Sequence, residues 1–182
     1  TIYSLYNIKV DETSSNVAAA RDRALRKGQR IALEQLFRRI ILKNDRKKLP
    51  TFKDNEVVEF ISGFEINEEK RSSVRYIASL VVHFNRSKIN DVLSFYKIPF
   101  AETLGTSVSV LPVLEKGGAI LLWEEGNGWL DAWHQHDVIN NLVPISTPFP
   151  TLKNKLYISG LQARTNNQKL IETFISENRI ND

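Results

Sequence analysis

Ala24, Gly28 and Ala32 recur every fourth residue inside an otherwise unbroken helical pattern, and that stripe restricts what the N-terminal half can become. Residues four apart stand one above another on a helix face, so three small side chains leave a shallow groove along it. A glycine in mid-helix costs about 1 kcal/mol relative to alanine. Close packing against another layer offsets that cost. The helical pattern runs from residue 17 to about Leu42, with Val17, Leu25, Ile31 and Leu36 on the same side as the stripe. Just before it, residues 2–10 alternate at period two and place Tyr6, Ile8 and Val10 on one strand face. Ser14 or Ser15 stands where an N-cap is needed. The expectation is a helix laid tightly on a sheet.

The remaining pattern completes that layer. Residues 44–53 read as a basic loop containing Pro50, followed by a short helix over 55–61 that ends at Gly63. Residues 64–66 and 74–84 read as strands around the polar turn 67–73. Ser87 can cap a helix to about Tyr96, with Ile89, Val92, Leu93 and Tyr96 inward, before Pro99 stops it. This gives a β-α-β-β-α domain over residues 1–100, with residues 100–106 as a linker. A smaller α/β unit follows over 107–182. It starts with strands at 107–114 and 119–123 in a hairpin around Lys116-Gly117-Gly118. A tryptophan-bearing helix spans 129–142, and a proline-rich stretch covers 143–150. A strand near 155–159 and a helix from about Asn167 to Asn178 end the chain. The fold class expected is α+β, a long helix packed on an antiparallel sheet.

With 182 residues the chain has room for one domain or two small ones. Its longest apolar runs, 77–82 and 119–123, fall far short of the roughly 20 residues a membrane-spanning helix requires. It contains no cysteine, which excludes thiol chemistry and disulfides and suits passage through an oxidising compartment. Without an initiator methionine, Thr1 is either an end left by processing or a cut made in a longer chain.

Charge is segregated. Eleven Lys or Arg between residues 21 and 48 face only Asp22, Glu34 and Asp45, a local balance of +8. Residues 117–152 contain no Lys or Arg, while Glu124, Glu125, Asp131 and Asp137 give −4. Arg23, Arg26, Lys27 and Arg30 fall within one arc of the long helix, and Arg46, Lys47 and Lys48 extend the charge past its end. These seven are the candidate anion- or partner-binding residues. The plain alternative is a solvated helix face and loop. Nucleic acid is a second reading, but base stacking needs aromatics among the cations, and the tryptophans sit in the acidic region, away from the basic one.

Trp123, Trp129 and Trp133 form a candidate aromatic groove, with core packing as the ordinary alternative. His134 and His136 point about 200° apart on a helix and cannot share an ion as an i, i+4 pair does. Glu124 and Glu125 are neighbours on a strand and face opposite ways. No phosphate loop, nucleophile elbow or zinc-protease motif occurs. No catalytic, cofactor or metal residue is therefore assigned.

Three segments carry a family resemblance. They are the strand and alanine-rich helix from Tyr6 through Val17-Ala18-Ala19-Ala20-Arg21 and Ala24-Leu25, and the stretch from Tyr76 to Phe84 with Ile89, Leu93 and Lys97-Ile98-Pro99-Phe100. The third runs from Leu111-Pro112-Val113-Leu114 through Leu121-Leu122-Trp123, Asn127-Gly128-Trp129 and Ala132-Trp133 to Val143-Pro144. Together they resemble the DUF 2066 family of proteobacterial proteins, over roughly residues 5–165, most specifically in the tryptophan segment. The chain departs from that family's pattern near residues 39–42, where a glycine-containing helix end is usual. The resemblance implies an exported, periplasmic or envelope location; the family brings no established activity, so nothing catalytic is carried over from it. The function expected is a non-enzymatic binding module, its basic helix and loop meeting an acidic protein surface or anionic lipid headgroups. The acidic tryptophan region could instead satisfy that basic surface, within the chain or across a homodimer.

Overall fold

A computed structural model describes residues 1–136 and 138–178. The fold is α+β, with an antiparallel sheet packed against helices. The chain divides into two units, Thr1–Thr103 and Leu104–Asp182. Among the described residues no helix is long and apolar enough to cross a membrane.

In the first unit, strand β1 (Ser4–Thr13) leads into helix α1 (Val17–Ile40). A 3-10 turn (Arg46–Lys48), α2 (Asp54–Phe60), β2 (Ile61–Arg71), β3 (Arg75–Phe84) and α3 (Arg86–Phe95) follow. The strands lie in the order β1-β3-β2, each pair antiparallel. Helix α1 covers one face of the sheet with Ala20, Ala24, Gly28, Ala32, Leu33 and Leu36. The small stripe does what its spacing suggested. A Cβ built on Gly28 would collide with Leu80 Cδ1 and come within 2.9 Å of Val10 Cγ1.

Several local expectations need correction. The cap of α1 is Asn16, not Ser14 or Ser15; its side chain accepts the Ala19 N–H at 2.9 Å. The cap of α3 is Asn85 rather than Ser87, accepting from Lys88 N–H. The alternation in β1 breaks between Leu5 and Ile8, where Asn7 adopts φ 55°. That bulge brings Leu5 onto the buried face with Ile8 and Val10, and leaves Tyr6 half-buried. Strand β2 continues past residue 67 through a second bulge, with Glu68 at φ 51°, so the turn narrows to residues 72–74. Helix α2 runs directly into β2, so nothing stops it at Gly63. Tyr96 is exposed rather than inward. Both edge strands of the sheet are bulged, which discourages continuous edge-to-edge pairing.

A polar clamp closes this unit. The Tyr3 hydroxyl donates to Asn90 Oδ1 at 2.8 Å and to Glu102. Arg86 donates to both Glu102 carboxylate oxygens at 2.9 Å, and Asn90 Nδ2 donates to Oε1 at 2.7 Å. Arg86 first, with Tyr3 and Asn90, holds the Glu102 carboxyl down to about 2. Burial, then the same carboxylate, raises the Tyr3 hydroxyl well above its ordinary range.

The second unit has a core of Leu122, Trp123, Ile158 and Phe174. Its two short ladders are β4 (Val108–Ser109), parallel to β7 (Ile145–Ser146), and the hairpin β5 (Leu114–Lys116) with β6 (Ala119–Leu121). Gly117 and Gly118 turn that hairpin at φ 59° and 81°, the two positive values a tight hairpin turn demands. The strand expected over 107–114 is broken, because only Val108 and Ser109 pair in the parallel ladder and Pro112 has no N–H to donate. Helix α4 (Gly128–Gln135) is shorter than expected and stops where His136 turns extended. The strand expected near 155–159 is helix instead: α5 (Leu152–Tyr157), then α6 (Gly160–Arg164) and α7 (Gln168–Asn178). Thr151 caps α5 by accepting from Asn154 N–H, and the buried residues Asn154 and Ile158 stand four apart, a helical period.

Candidate functional site

The long helix presents its cations in two environments. Along its length, carboxylates from distant parts of the chain reach them. Lys27 binds Glu12, Arg30 binds Asp54, and Arg21 lies 3.8 Å from Glu69. Arg26 binds Asp22 one turn earlier, and Lys48 binds Asp45 at 2.6 Å. Arg30 also donates to the carbonyl of Phe52 at 3.1 Å. Exposed pairs of this kind contribute little stability, at most about 1 kcal/mol each. They nevertheless cancel the local charge, so Arg26, Lys27, Arg30 and Lys48 do not form an unopposed basic face.

The other environment is the C-terminal end of α1. Arg46 donates from Nε to the carbonyl of Ile41 at 3.0 Å and from Nη2 to that of Arg38 at 2.8 Å. The last carbonyls of a helix lack partners within it and carry partial negative charge, so a guanidinium is well placed there. These two bonds fold the 3-10 turn back onto the helix end. Arg38, Lys43, Arg46 and Lys47 consequently lie around the same helix terminus. Among the described residues Arg38, Lys43 and Lys47 form no ion pair, and Arg46 meets only carbonyls. Leu42 sits among them with 73% of its surface exposed. Arg23 also has no ion pair among the described residues, but it stands fifteen residues before Arg38 on α1, about 22 Å along the axis.

The geometry therefore separates the seven basic candidates. Arg46 and Lys47 belong to the helix end, while Arg23 is isolated and the other four are paired. Arg38, Lys43 and Leu42 join the site although their spacing alone did not mark them. Glu12, Asp54 and Glu69, which neutralise the flank, are too far away in sequence to appear in a local charge balance.

The three tryptophans are also separated. Trp123 is 5% exposed, donates from Nε1 to the carbonyl of Ile158 at 2.6 Å, and has its ring centre 6.2 Å from that of Phe174. It is core and cannot line a groove. Trp129 is 60% exposed on α4, and Trp133 is half-buried with its ring edge-on to His136 at 6.3 Å. The buried polar centre beside them is Asn127. Its Nδ2 donates to the carbonyls of Pro112 and Leu122 at 2.8 and 2.9 Å, and its Oδ1 accepts from Leu130 N–H at the start of α4. Glu124 accepts the N–H groups of Leu122 and Trp123, which hold its carboxyl below the usual range.

His134 stacks on Phe149 with ring centres 4.4 Å apart, and its Nε2 lies 3.3 Å from the carbonyl of Pro148. Asp137, three residues after His134 in the sequence, lies outside the described residues. Among the described residues no group of three His, Asp or Glu is arranged to hold a metal ion. Comparison with protein-family models, with curated proteins and with solved structures finds no match to this chain.

Proposed function

We propose that this chain is a non-catalytic binding module that docks the basic end of α1 on an acidic protein surface. The observation that supports it is the exposed Leu42 at a helix end where Arg38, Lys43 and Lys47 pair with no carboxylate among the described residues and Arg46 meets only carbonyls. An exposed apolar side chain within a polar, solvent-accessible rim is the general anatomy of a protein interface, and cations there steer an acidic partner toward it. A lipid surface fits less well. Cations near anionic headgroups contribute about 1 kcal/mol each, and stable attachment needs a second, substantial apolar signal that one leucine does not supply. Nucleic acid fits less well still, since Phe37, the aromatic beside Arg38, is buried in the core and cannot stack on a base.

The test is a titration of three probes at about 50 and about 200 mM salt, a range over which charge-driven binding changes steeply. The probes are a fluorescent poly-glutamate peptide, a DNA oligonucleotide, and vesicles of phosphatidylcholine and phosphatidylglycerol. The peptide should bind wild type, weaken with salt, and lose at least tenfold in affinity with Lys43→Glu/Lys47→Glu. Arg23→Glu should leave it within twofold. Preferential binding of DNA, or equal loss with Arg23→Glu, would overturn the assignment.

The location proposed with this reading is the periplasm or envelope. It draws on the missing cysteines and on the DUF 2066 resemblance of the sequence. Fractionation of cells expressing the natural precursor checks it, and recovery in the cytoplasmic fraction alone would exclude it.

A further inference from the structure

Helices α2 and α3 leave a cleft of about 390 Å³ whose lining includes Glu56, Glu59, Asp91, Phe60, Phe95 and Tyr96 and no Lys or Arg. That volume is at the small end of binding clefts. Glu56 accepts the backbone N–H of Lys53 at 2.6 Å. The carboxylates of Glu59 and Asp91 form no ion pair or hydrogen bond among the described residues. Lys88 is held by its ammonium on the carbonyl of Glu59 at 2.9 Å and does not line the cleft. Phe95 is 78% exposed, with its ring edge-on to Tyr96 at 5.1 Å. Aromatic surface left open beside unopposed carboxylates has the opposite character to the end of α1, where an open leucine stands among unopposed cations. The two surfaces belong to one unit. The N–H of Ala101, just after α3, donates to the carbonyl of Ile40 at 2.8 Å and ties that segment to the end of α1.

Resting on the binding role assigned above to the end of α1, we propose that the acidic surface it meets is the α2–α3 cleft of a second copy of this chain. Leu42 enters beside Phe95 and Tyr96, while Arg38, Lys43 and Lys47 face Glu59 and Asp91. Each copy carries both surfaces, so a two-fold arrangement satisfies both at once. The contact is polar and its rim is screened by salt.

Sedimentation velocity of the full chain, at low and high salt, tests this. Wild type should shift from monomer to dimer as concentration rises, at least tenfold more readily in low salt. Lys43→Glu/Lys47→Glu and Glu59→Lys/Asp91→Lys each reverse one surface and should stay monomeric. Circular dichroism verifies that these exposed changes leave the fold intact. An equimolar mixture of the two variants should dimerise again, because each reversed surface now complements the other. A wild type that stays monomeric at all concentrations, or a mixture that fails to associate, would overturn the self-pairing. The poly-glutamate titration separates this from the broader reading. Glu59→Lys/Asp91→Lys retains the helix end and should still bind the peptide, and peptide binding by a wild type that stays monomeric at all concentrations removes only the second copy as partner. Loss of peptide binding removes the docking role itself. Vesicle binding that Lys43→Glu/Lys47→Glu abolishes, in a protein that stays monomeric, would replace the second copy with lipid.

Discussion

Gly28 shows how much one missing Cβ can decide. Alanine there would gain about 1 kcal/mol of helix propensity, but it would press on Leu80 and Val10, both fully buried. Overpacking of this kind costs about 1–3 kcal/mol, so Gly28→Ala should lower unfolding free energy by about 1 kcal/mol. If the loss comes from that contact, Gly28→Ala should cost less in a Leu80→Ala background; urea unfolding of the four-member cycle reads the coupling. Asn127 is the corresponding hub of the second unit, and Asn127→Ala leaves two carbonyls and a helix start without their partner. A loss of about 2–3 kcal/mol is expected from unsatisfied buried groups, read as unfolding of that unit by tryptophan fluorescence. Glu102 has a pH signature. Its carboxyl is held at about 2, below the ordinary 4.5, so the folded protein binds fewer protons between those values. The clamp's contribution is complete above the ordinary value and disappears as pH falls toward about 2. The stability difference between wild type and Glu102→Gln should therefore shrink steadily on acidification below the ordinary value; a difference independent of pH would show that the clamp works without the charge.

At the scale of elements, the boundaries are set by polar side chains more than by hydrophobic pattern. Asn16, Asn85, Asn127, Thr151 and Ser159 each accept a backbone N–H at a helix start. Removing such a cap costs about 1 kcal/mol, so Asn16→Ala should lower the denaturation midpoint, while Ser14→Ala and Ser15→Ala should not. Equal effects at the three positions would show that the chain enters α1 differently. The end of α1 is shaped in the same way. Arg46 binds helix carbonyls and draws the basic turn back against Arg38, which a run of charges in the sequence does not disclose.

The two units differ in how much apolar surface they enclose. The first has a continuous core shared by three strands and α1, whereas the second rests on a small cluster around Leu122, Trp123, Ile158 and Phe174 and on short ladders. Local opening follows such differences. Amide hydrogen exchange should be slowest in α1 and β3 and faster throughout the second unit. Protection in α4–α7 equal to that in β3 would contradict this distribution. The total charge of +4 hides a first unit that carries the basic segment and a second whose segment 117–152 is purely acidic. Ionic strength should accordingly weaken binding to acidic probes without altering far-UV circular dichroism.

The α+β architecture, the order of elements in the first unit and the close approach at Gly28 were legible in the sequence, because periods of two and four and a missing Cβ are local properties. The helix at α5 was not, since its short apolar pattern suits either conformation until neighbours choose between them. Nor were the inward turn of Leu5, which required the bulge at Asn7, or the hub role of Asn127, whose carbonyl partners lie on separate loops. Charge followed the same division. Residue order determined that cations crowd between residues 21 and 48. Only the fold could bring Glu12, Asp54 and Glu69 to some of them and leave the end of α1 unopposed. Coulombic pairing depends on distance in space, and separation along the chain does not specify that distance.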